Sequence, residues 1–319
     1  MPYQTRWIGG STTESGDRLC ADRYALLQPV LRTYSRQFTL WDLGANLGYF
    51  GCRIADEFGA VSVMVDQRPI LAETCRAAGI PTTIAMTHRL TAPDLVELAQ
   101  SEHTDVVLAL NVLHHMPDWR IALPAILSLG ETVIIETPGR GDECSANYEE
   151  SQLLLDALWA AAPAQVLGWS PSHVTHGVDR PMFLFQRSKT AVTASYAYRG
   201  RVRARGPHPA RPHTIDSTRE DKRIQFDGGA FRAWHHGMNL WNWLQMGGAY
   251  PDRATVQQAV RSEASLLGGK HGDFKPWNLI LQGQRVAVID SGHRQSVDDA
   301  KGLAQTLAWI AEPELAYAH

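Results

Sequence analysis

Short apolar runs alternate with segments of helical periodicity along residues 1–188 of the chain. The runs predict strands, because short apolar and β-branched stretches are typical of strands buried in a parallel sheet. The predicted strands cover residues 39–43, 61–65, 82–86, 104–110, 131–136, 165–169 and 181–185. The segments between them predict helices over residues 18–35, 49–58, 70–78, 94–100, 119–128 and 151–162. Strands that alternate with helices in this way are typical of an α/β fold.

The turn after the first predicted strand carries the first sign of chemistry. Asp42 lies near the end of the apolar run, and Gly44 and Gly48 follow it. Glycines in such a turn let the backbone come close to a bound molecule. The dinucleotide fingerprint G-x-G-x-x-G has a different spacing, and a carboxylate beside the turn repels phosphate. Asp42 is instead suited to hold a cationic amine.

The second predicted strand leads to Asp66, about one helix and one strand beyond Gly48. Nucleotide-binding α/β units place an acid at this offset on the ribose hydroxyls. The alternative is that Asp66 only caps the end of its strand. Because parallel strands end at the same edge of a sheet, we expect Asp42 and Asp66 to share one crevice.

Two stretches resemble motifs of the class I S-adenosylmethionine-dependent methyltransferases. Asp42, Gly44 and Gly48 match the D/E-x-G-x-x-x-G of motif I, and D-V-V-L-A-L-N-V-L-H-H at 105–115 is similar to motif IV and its sequel. The resemblance implies a Rossmann-like sheet closed by an antiparallel strand pair, with S-adenosylmethionine (SAM) as cofactor. The residues that it implies for SAM binding are Asp42, Gly44, Asn46, Gly48, Asp66, Thr87, His88 and Asn111.

Three residues at the same edge are the catalytic candidates in this domain. His114 and His115 follow the fourth predicted strand, and Glu136 ends the fifth. A neutral imidazole takes up the proton of a hydroxyl as it is alkylated, so one histidine is a candidate general base; alternatively, the pair caps the next helix and shapes the pocket. Glu136 is expected to orient an amine or hydroxyl of the acceptor. Arg18 or Arg23 is expected either to meet the cofactor carboxylate or to be solvated.

Composition narrows the choice of partners. A formal net charge of -3 gives no global reason to expect nucleic acid or an anionic membrane as partner. A small-molecule or glycan acceptor is therefore expected. The sequence shows no signal peptide and no run of about 18 apolar residues that predicts a membrane span. The four cysteines form no C-x-x-C pair, which favours reduced thiols and a cytoplasmic enzyme.

The pattern changes after Arg187 and predicts two domains, a methyltransferase domain over 1–188 and a smaller α+β domain over 189–319. Residues 199–211 contain five arginines mixed with glycine and proline. We interpret this segment as a basic linker or, alternatively, as a strip that docks a phosphorylated substrate. Its composition predicts neither a regular helix nor a central strand.

The second domain contains a further pair of motifs. H-G-D-F-K-P-W-N at 271–278 and V-A-V-I-D-S-G at 286–292 resemble the catalytic loop and metal-binding aspartate of kinases of the aminoglycoside phosphotransferase type. The resemblance implies that Asp273 accepts a hydroxyl proton and that Asn278 and Asp290 bind Mg²⁺ on ATP. The glycine-rich loop and paired strand lysine of such kinases are not found. The domain is accordingly an active minimal kinase, a degenerate platform or a fragment that binds the methyl acceptor.

Three functional hypotheses follow from these motifs. The first is methyl transfer from SAM to oxygen or nitrogen of a small-molecule, glycan or phosphate acceptor. The second is a bifunctional methyltransferase-kinase in polysaccharide or natural-product biosynthesis, since the domain order resembles the enzymes that terminate bacterial O-antigen polysaccharides. The third is a scaffold that binds SAM without catalysis.

Overall fold

The computed structural model describes residues 4–13, 16, 18, 20–143, 147–161, 164–187, 192–196, 211–216, 222–226, 231–267, 274–289 and 299–314. The strands up to residue 187 are β1 (Trp7–Ile8), β2 (Ser11–Thr12), β3 (Thr39–Leu43), β4 (Val61–Asp66), β5 (Thr83–Thr87), β6 (Thr104–Leu110), β7 (Gly130–Glu136), β8 (Ala164–Pro171) and β9 (Asp179–Gln186). The helices of the same part are α1 (Cys20–Leu31), α2 (Tyr49–Phe58), α3 (Ile70–Ala78), α4 (Ala92–Ser101), α5 (Trp119–Leu129) and α6 (Tyr148–Ala160).

The remaining strands are mostly short, and their pairings are antiparallel. They are β10 (Val192–Tyr196), β11 (Arg211–Asp216), β12 (Arg223–Phe226), β13 (Phe231–Ala233), β14 (Met238–Asn239), β15 (Gly248–Tyr250), β16 (Leu279–Leu281) and β17 (Val286–Val288). The helices of this part are α7 (Leu240–Gln245), α8 (Arg253–Leu267) and α9 (Asp299–Ala311). Single 3-10 turns cover Leu113–His115 and Pro276–Asn278.

The large sheet has the order β15-β5-β4-β3-β6-β7-β9-β8 within the described residues. Strands β3 to β7 run parallel, and β9 is antiparallel to both β7 and β8. The predicted α/β fold with a closing antiparallel pair is confirmed. From β3 the chain proceeds outward to β4 and β5 and then returns to β6 on the other side of β3. Ligands of open α/β sheets bind at the carboxyl ends of the strands where the order reverses in this way.

Apolar side chains on the two faces of the sheet form two core clusters. Strand residues alternate between the faces, so that Leu40 packs with α1, α2 and α3 while Trp41 packs with α4, α5 and α6. Turn chemistry fixes where these helices begin and end. Helix α2 lies between Gly48 and Gly59, both with positive φ, and α4 begins with a capping box of Thr91 and Asp94.

The segment after residue 188 contributes to this same sheet and core. Strand β15 pairs antiparallel with β5, and Trp243 of α7 belongs to the apolar cluster that contains Trp41. The division of the chain into domains at residue 188 stays a prediction, but residues on both sides of it share a sheet. Along the described ranges, no helix is both long and apolar enough to cross a membrane.

One expectation for the basic segment is wrong at its last residue. Arg211 opens β11, which pairs with both β10 and β12 and is therefore a central strand. Pro212 stands opposite Ser195 near the strand end, where its missing N–H removes a single ladder bond. Residues 199–210 lie outside the described residues.

Candidate active site

A cavity of about 590 Å³ opens at the carboxyl ends of β3, β4, β5 and β6. This volume lies in the range of small-molecule sites. The predicted residues in its wall are Asp42, Gly44, Asn46, Asp66, His88, Asn111, His114 and His115. Further wall residues, which the sequence did not single out, include Gln4, Phe50, Arg68, Arg89, His173 and Arg180. The structure thus brings most of the predicted site residues to one cavity.

Asp42 is the acid at the end of β3, and only 2% of its surface is exposed. Its Oδ2 accepts the backbone N–H of Gly51 at 3.2 Å. Burial is the largest influence on this carboxyl and raises its pKa to about 7, although Gly51 and Arg23 act in the opposite direction. A buried acid of this kind gains most from a cation, because an opposite charge stabilises the ionised form.

Asp66 lies at the end of the neighbouring strand β4 and is tied to the turn after β3. Its Oδ2 accepts the Asn46 N–H at 2.8 Å, and its Oδ1 accepts the Arg68 N–H at 3.0 Å. The backbone N–H of Gln67 donates to this carboxylate as well. Since a carboxylate offers about four acceptor positions, it still has room for a donor from a ligand. Burial raises the pKa of Asp66 as well, against the influence of these backbone donors.

The glycines of the turn have different positions. Gly44 is in the cavity wall with φ 75°, and a Cβ added to it would lie 2.9 Å from Cγ2 of Val112. A side chain at residue 44 would therefore be strained and would collide with the opposite wall. Gly48 has φ 77° and precedes α2, where a Cβ would lie 2.9 Å from Cδ1 of Leu71. Gly48 therefore contributes to the conformation of the turn and packs against Leu71, and it is not among the residues of the cavity wall.

The residues after β5 form the side of the cavity for which adenine contact is predicted. His88 is in the wall, and its Nε2 lies 3.1 Å from Oδ2 of Asp94. Its backbone N–H donates to the carbonyl of Asp66 at 2.9 Å. Thr87 lies one residue earlier, within β5, and its N–H donates to the Gly247 carbonyl at 3.1 Å. Thr87 thus supports the wall, whereas His88 is part of it.

His114 and His115 lie in the 3-10 turn after β6, with ring centroids 3.9 Å apart. Burial, followed by His115 and Arg180, lowers the pKa of His114 to about 3. Burial and Arg180 also lower the pKa of His115. Both imidazoles are consequently neutral at pH 7. The Nδ1 of His114 is buried and has no hydrogen-bond partner among the described residues.

Glu136 does not occupy the position that its sequence location suggested. It is missing from the cavity wall as described, and its buried carboxylate accepts hydrogen bonds from Arg18, Arg23, Asn111 and Ser170. Burial acts to raise the pKa of Glu136, but Arg23 and Arg18 outweigh it and lower the pKa below its usual value. The expectation that Glu136 orients the acceptor is corrected, because its oxygens are engaged within the protein. The expectation that Arg18 or Arg23 is solvated is corrected as well, because both side chains are buried. Arg23 also lines the cavity, so its contact with the cofactor carboxylate stays a prediction.

Arg180 is the main wall residue that sequence reasoning missed. It lies at the start of β9, its side chain is 1% exposed, and its guanidinium donates to Asp142, Asn111 and Ser172. These bonds join the loops after β7 and β8 at one edge of the cavity. The sequence did contain one signal, an arginine at the start of an otherwise apolar strand. Because β9 runs antiparallel to β7, the first residues of β9 lie at the edge of the sheet where the parallel strands end.

The kinase-like candidates are only partly described. Asp273 and Asp290 lie outside the described residues. Asn278 is buried in the turn that precedes β16, and its backbone N–H donates to the Lys275 carbonyl at 2.9 Å. In the part of the chain that the structure describes, no group of three acidic, histidine or cysteine side chains is arranged to hold a metal ion.

Comparisons with known proteins give structural neighbours but no family. No protein-family model matches the chain, and no curated protein sequence matches it significantly. The bifunctional kinase-methyltransferase WbdD is 16% identical over 93% of this chain and 81% of its own, with a TM-score of 0.47. The N-terminal domain of EvdMO1, solved in the presence of S-adenosylhomocysteine (SAH) and D-fucose, is 13% identical over 59% of this chain and 91% of its own, at 0.42. An O-methyltransferase family protein from Burkholderia thailandensis is 15% identical over 52% of this chain and 57% of its own, with a TM-score of 0.37. None of these similarities assigns an activity by itself.

Proposed function

We propose that this chain is a SAM-dependent methyltransferase that acts on oxygen or nitrogen of a small-molecule, glycan or phosphate acceptor. The observation that carries the proposal is the position of Asp42 and Asp66, which end neighbouring parallel strands and line one cavity. The methyl donor has a cationic amine and a ribose, and these are the groups that two carboxylates in this arrangement are suited to bind.

The residues of the cavity fit such a donor. Asp42 offers a buried acid to the amine, and the oxygens of Asp66 offer acceptors to the ribose hydroxyls. Gly44 carries no Cβ, which would otherwise collide with the wall residue Val112. His88 and its neighbours form the wall near the base. When bound, the donor supplies a methyl group on a sulfonium that an acceptor atom attacks.

The acceptor is proposed to enter beside His114 and His115. A methyl transfer of this kind depends mainly on alignment of the nucleophile with the methyl group. The imidazoles of His114 and His115 line this side of the cavity, and Arg180 holds the adjacent loops. Because the pKa of His114 is about 3, we favour an orienting role for this imidazole over that of a general base.

Calorimetric titration with SAH tests the donor site first. Wild type is expected to bind SAH, and Asp66→Ala is expected to lose most of this binding. Radiolabelled SAM incubated with a cell extract then tests catalysis, with label entering a metabolite only with wild type. Binding without transfer of label would favour the scaffold hypothesis. Absence of SAH binding to the folded wild type would overturn the proposal.

Phosphotransfer is not included in the proposal. It depends on Asp273 and Asp290, which lie outside the described residues, and no described contact favours Mg-ATP. Among the described lysines of the second half, Lys222 is buried against Asp105 and Glu131 of the large sheet. The described geometry thus bears on methyl transfer, and phosphotransfer stays a prediction.

A further inference from the structure

Strand β15 covers an edge that would otherwise be open. In the described sheet β5 has β4 on one side and β15 on the other. Gly248 stands opposite Met86 and Tyr250 opposite Ala85. An edge strand without such a neighbour leaves a row of backbone donors and acceptors unpaired. The far half of the chain therefore completes the hydrogen bonding of a strand that leads into the cavity wall.

Contacts at both ends of β5 reinforce this pairing. At its carboxyl end, the Gly247 carbonyl accepts the Thr87 N–H at 3.1 Å. Before its amino end, the Gln284 N–H donates to the Pro81 carbonyl at 2.9 Å. Gln284 also donates through Nε2 to the Tyr250 hydroxyl at 3.1 Å. The turn before β17 and the turn before β15 thus hold the same strand.

The position of β15 itself is fixed by close packing. Gly248 lies against the ring of Trp243, and a Cβ added to this glycine would come within 2.1 Å of that ring. Trp243 is 1% exposed and belongs to the large apolar cluster of the sheet. Tyr250 is buried in the cluster on the opposite face. Because well-packed interiors resist displacement, β15 forms a rigid support.

The support ends where the cavity wall begins. Thr87, which is bonded to Gly247, is followed directly by the wall residues His88, Arg89 and Leu90. The His88 N–H donates to the carbonyl of Asp66 at 2.9 Å. A displacement of residue 247 would consequently change the position of wall residues 88–90 relative to Asp66, the acid that is proposed to bind the ribose.

We propose that residues 247–250 belong to the methyl-donor site as positioning residues, which hold the wall at residues 88–90 and thereby set the affinity for the donor. This inference rests on the proposed function for its ligand. Gly247 is the sensitive position. It has φ +63°, and a Cβ added to it would lie 2.8 Å from the Thr87 carbonyl oxygen.

A matched pair of glycine substitutions in the full-length chain tests the inference. Gly247→Ala introduces backbone strain and the contact with Thr87. Gly59→Ala introduces similar strain, at φ +65°, with nothing within 4 Å of the added Cβ. Hydrogen exchange of the unliganded proteins and SAH titration are measured for both. Gly247→Ala is expected to speed exchange at residues 83–90 and to weaken SAH binding at least about fivefold, whereas Gly59→Ala leaves both as in wild type.

The outcomes separate this inference from the proposed function. Equal exchange at residues 83–90 in the two variants, or unchanged SAH affinity in Gly247→Ala, overturns the positioning role. A folded wild type that binds no SAH overturns the proposed function and the claim on affinity, while exchange still decides whether residues 247–250 hold the wall. If Gly247→Ala does not fold, Tyr250→Phe, which removes only the bond from Gln284, is expected to change both quantities in the same direction by a smaller amount.

Discussion

The carboxylate of Asp66 accepts the backbone N–H of Asn46 at 2.8 Å, so that the end of β4 is bonded to the turn that follows β3. Asn46 presents this N–H because its φ is 57°, in the left-handed region that asparagine adopts more readily than most residues. The Arg68 side chain in turn donates to Oδ1 of Asn46 at 3.1 Å. One side of the proposed ribose site is therefore organised before any ligand binds.

Asp66→Asn is expected to weaken SAH binding roughly tenfold to a hundredfold, which corresponds to the loss of hydrogen bonds to a charged acceptor. The amide also turns a donor toward the N–H groups of Asn46 or Arg68. Calorimetry measures the affinity. Asp118→Asn, at an exposed residue before α5, is the matched control and should bind SAH as wild type does. Equal SAH affinities of the two variants would show that Asp66 does not contribute to the SAH site.

The affinity for SAH is expected to depend on pH through Asp42. Burial raises the pKa of this carboxyl to about 7 in the unliganded protein, and only the ionised form attracts a cationic amine. Affinity should therefore be highest above pH 8 and fall by up to about tenfold per pH unit below pH 7. Asp42→Asn should bind more weakly and lose this dependence. SAH titrations of both proteins from pH 6 to pH 8.5 check this prediction. If the SAH affinity of Asp42→Asn still changes with pH, the dependence belongs to another group.

The same substitution is expected to stabilise the empty protein. The folded pKa of about 7 lies above the ordinary value of 3.8, so the folded state binds the proton more tightly than the unfolded chain. The stability contributed by Asp42 consequently falls as the pH rises from about 4 to about 7. Asp42→Asn should melt a few degrees above wild type at pH 8, and this difference should shrink toward pH 5. Thermal unfolding of both proteins at pH 8 and at pH 5 measures this difference. A melting temperature of Asp42→Asn below that of wild type at pH 8 would contradict the prediction that the buried charge of Asp42 destabilises the empty protein.

Strand ends were predictable from the sequence because apolar runs in a parallel sheet finish at a common edge. That rule placed Asp42 and Asp66 correctly at one cavity, but it treated Glu136 as equivalent to them. Glu136 differs because Arg18, which precedes α1, and Arg23 of α1 reach its carboxylate from more than 100 residues earlier in the chain. Pairings over such a distance leave no local pattern. Arg180 and β15 escaped prediction for the same reason, since their positions are set by strands that run antiparallel or join the sheet from the far half of the chain.

Glu136→Gln is expected to destabilise the protein by about 3–5 kcal/mol, because it removes the buried carboxylate to which both Arg18 and Arg23 donate. Urea unfolding measures the change. Glu149→Gln, on the exposed side of α6, is the matched control and should change stability by no more than about 0.5 kcal/mol. If Glu136→Gln instead keeps full stability and binds SAH but transfers no methyl group, Glu136 would have the role of orienting the methyl acceptor after all.

Lys222→Met tests a second buried charge cluster, at the amino ends of β6 and β7 and so at the opposite edge of the sheet from the cavity. The Lys222 Nζ lies 3.0 Å from Oδ1 of Asp105 and 2.7 Å from Oε1 of Glu131. Burial acts to raise the pKa of both acids, but Lys222 and nearby histidines outweigh it, so that the pKa of Asp105 is well below its ordinary value and that of Glu131 is about 2. Removing the lysine leaves two buried carboxylates with less countercharge.

The expected cost of Lys222→Met is about 3–5 kcal/mol at pH 7. Acids with a lowered folded pKa contribute stability above their ordinary pKa, and this contribution is lost as the pH falls through the folded value. The difference between wild type and Lys222→Met should therefore persist from pH 8 to pH 5 and decrease below about pH 4. Urea unfolding across this range measures it, with Lys301→Met on the exposed side of α9 as the control. SAH affinity of the folded variant should stay within about twofold of wild type, since the cluster and the cavity lie at opposite strand ends; a larger loss would show that the two edges are coupled.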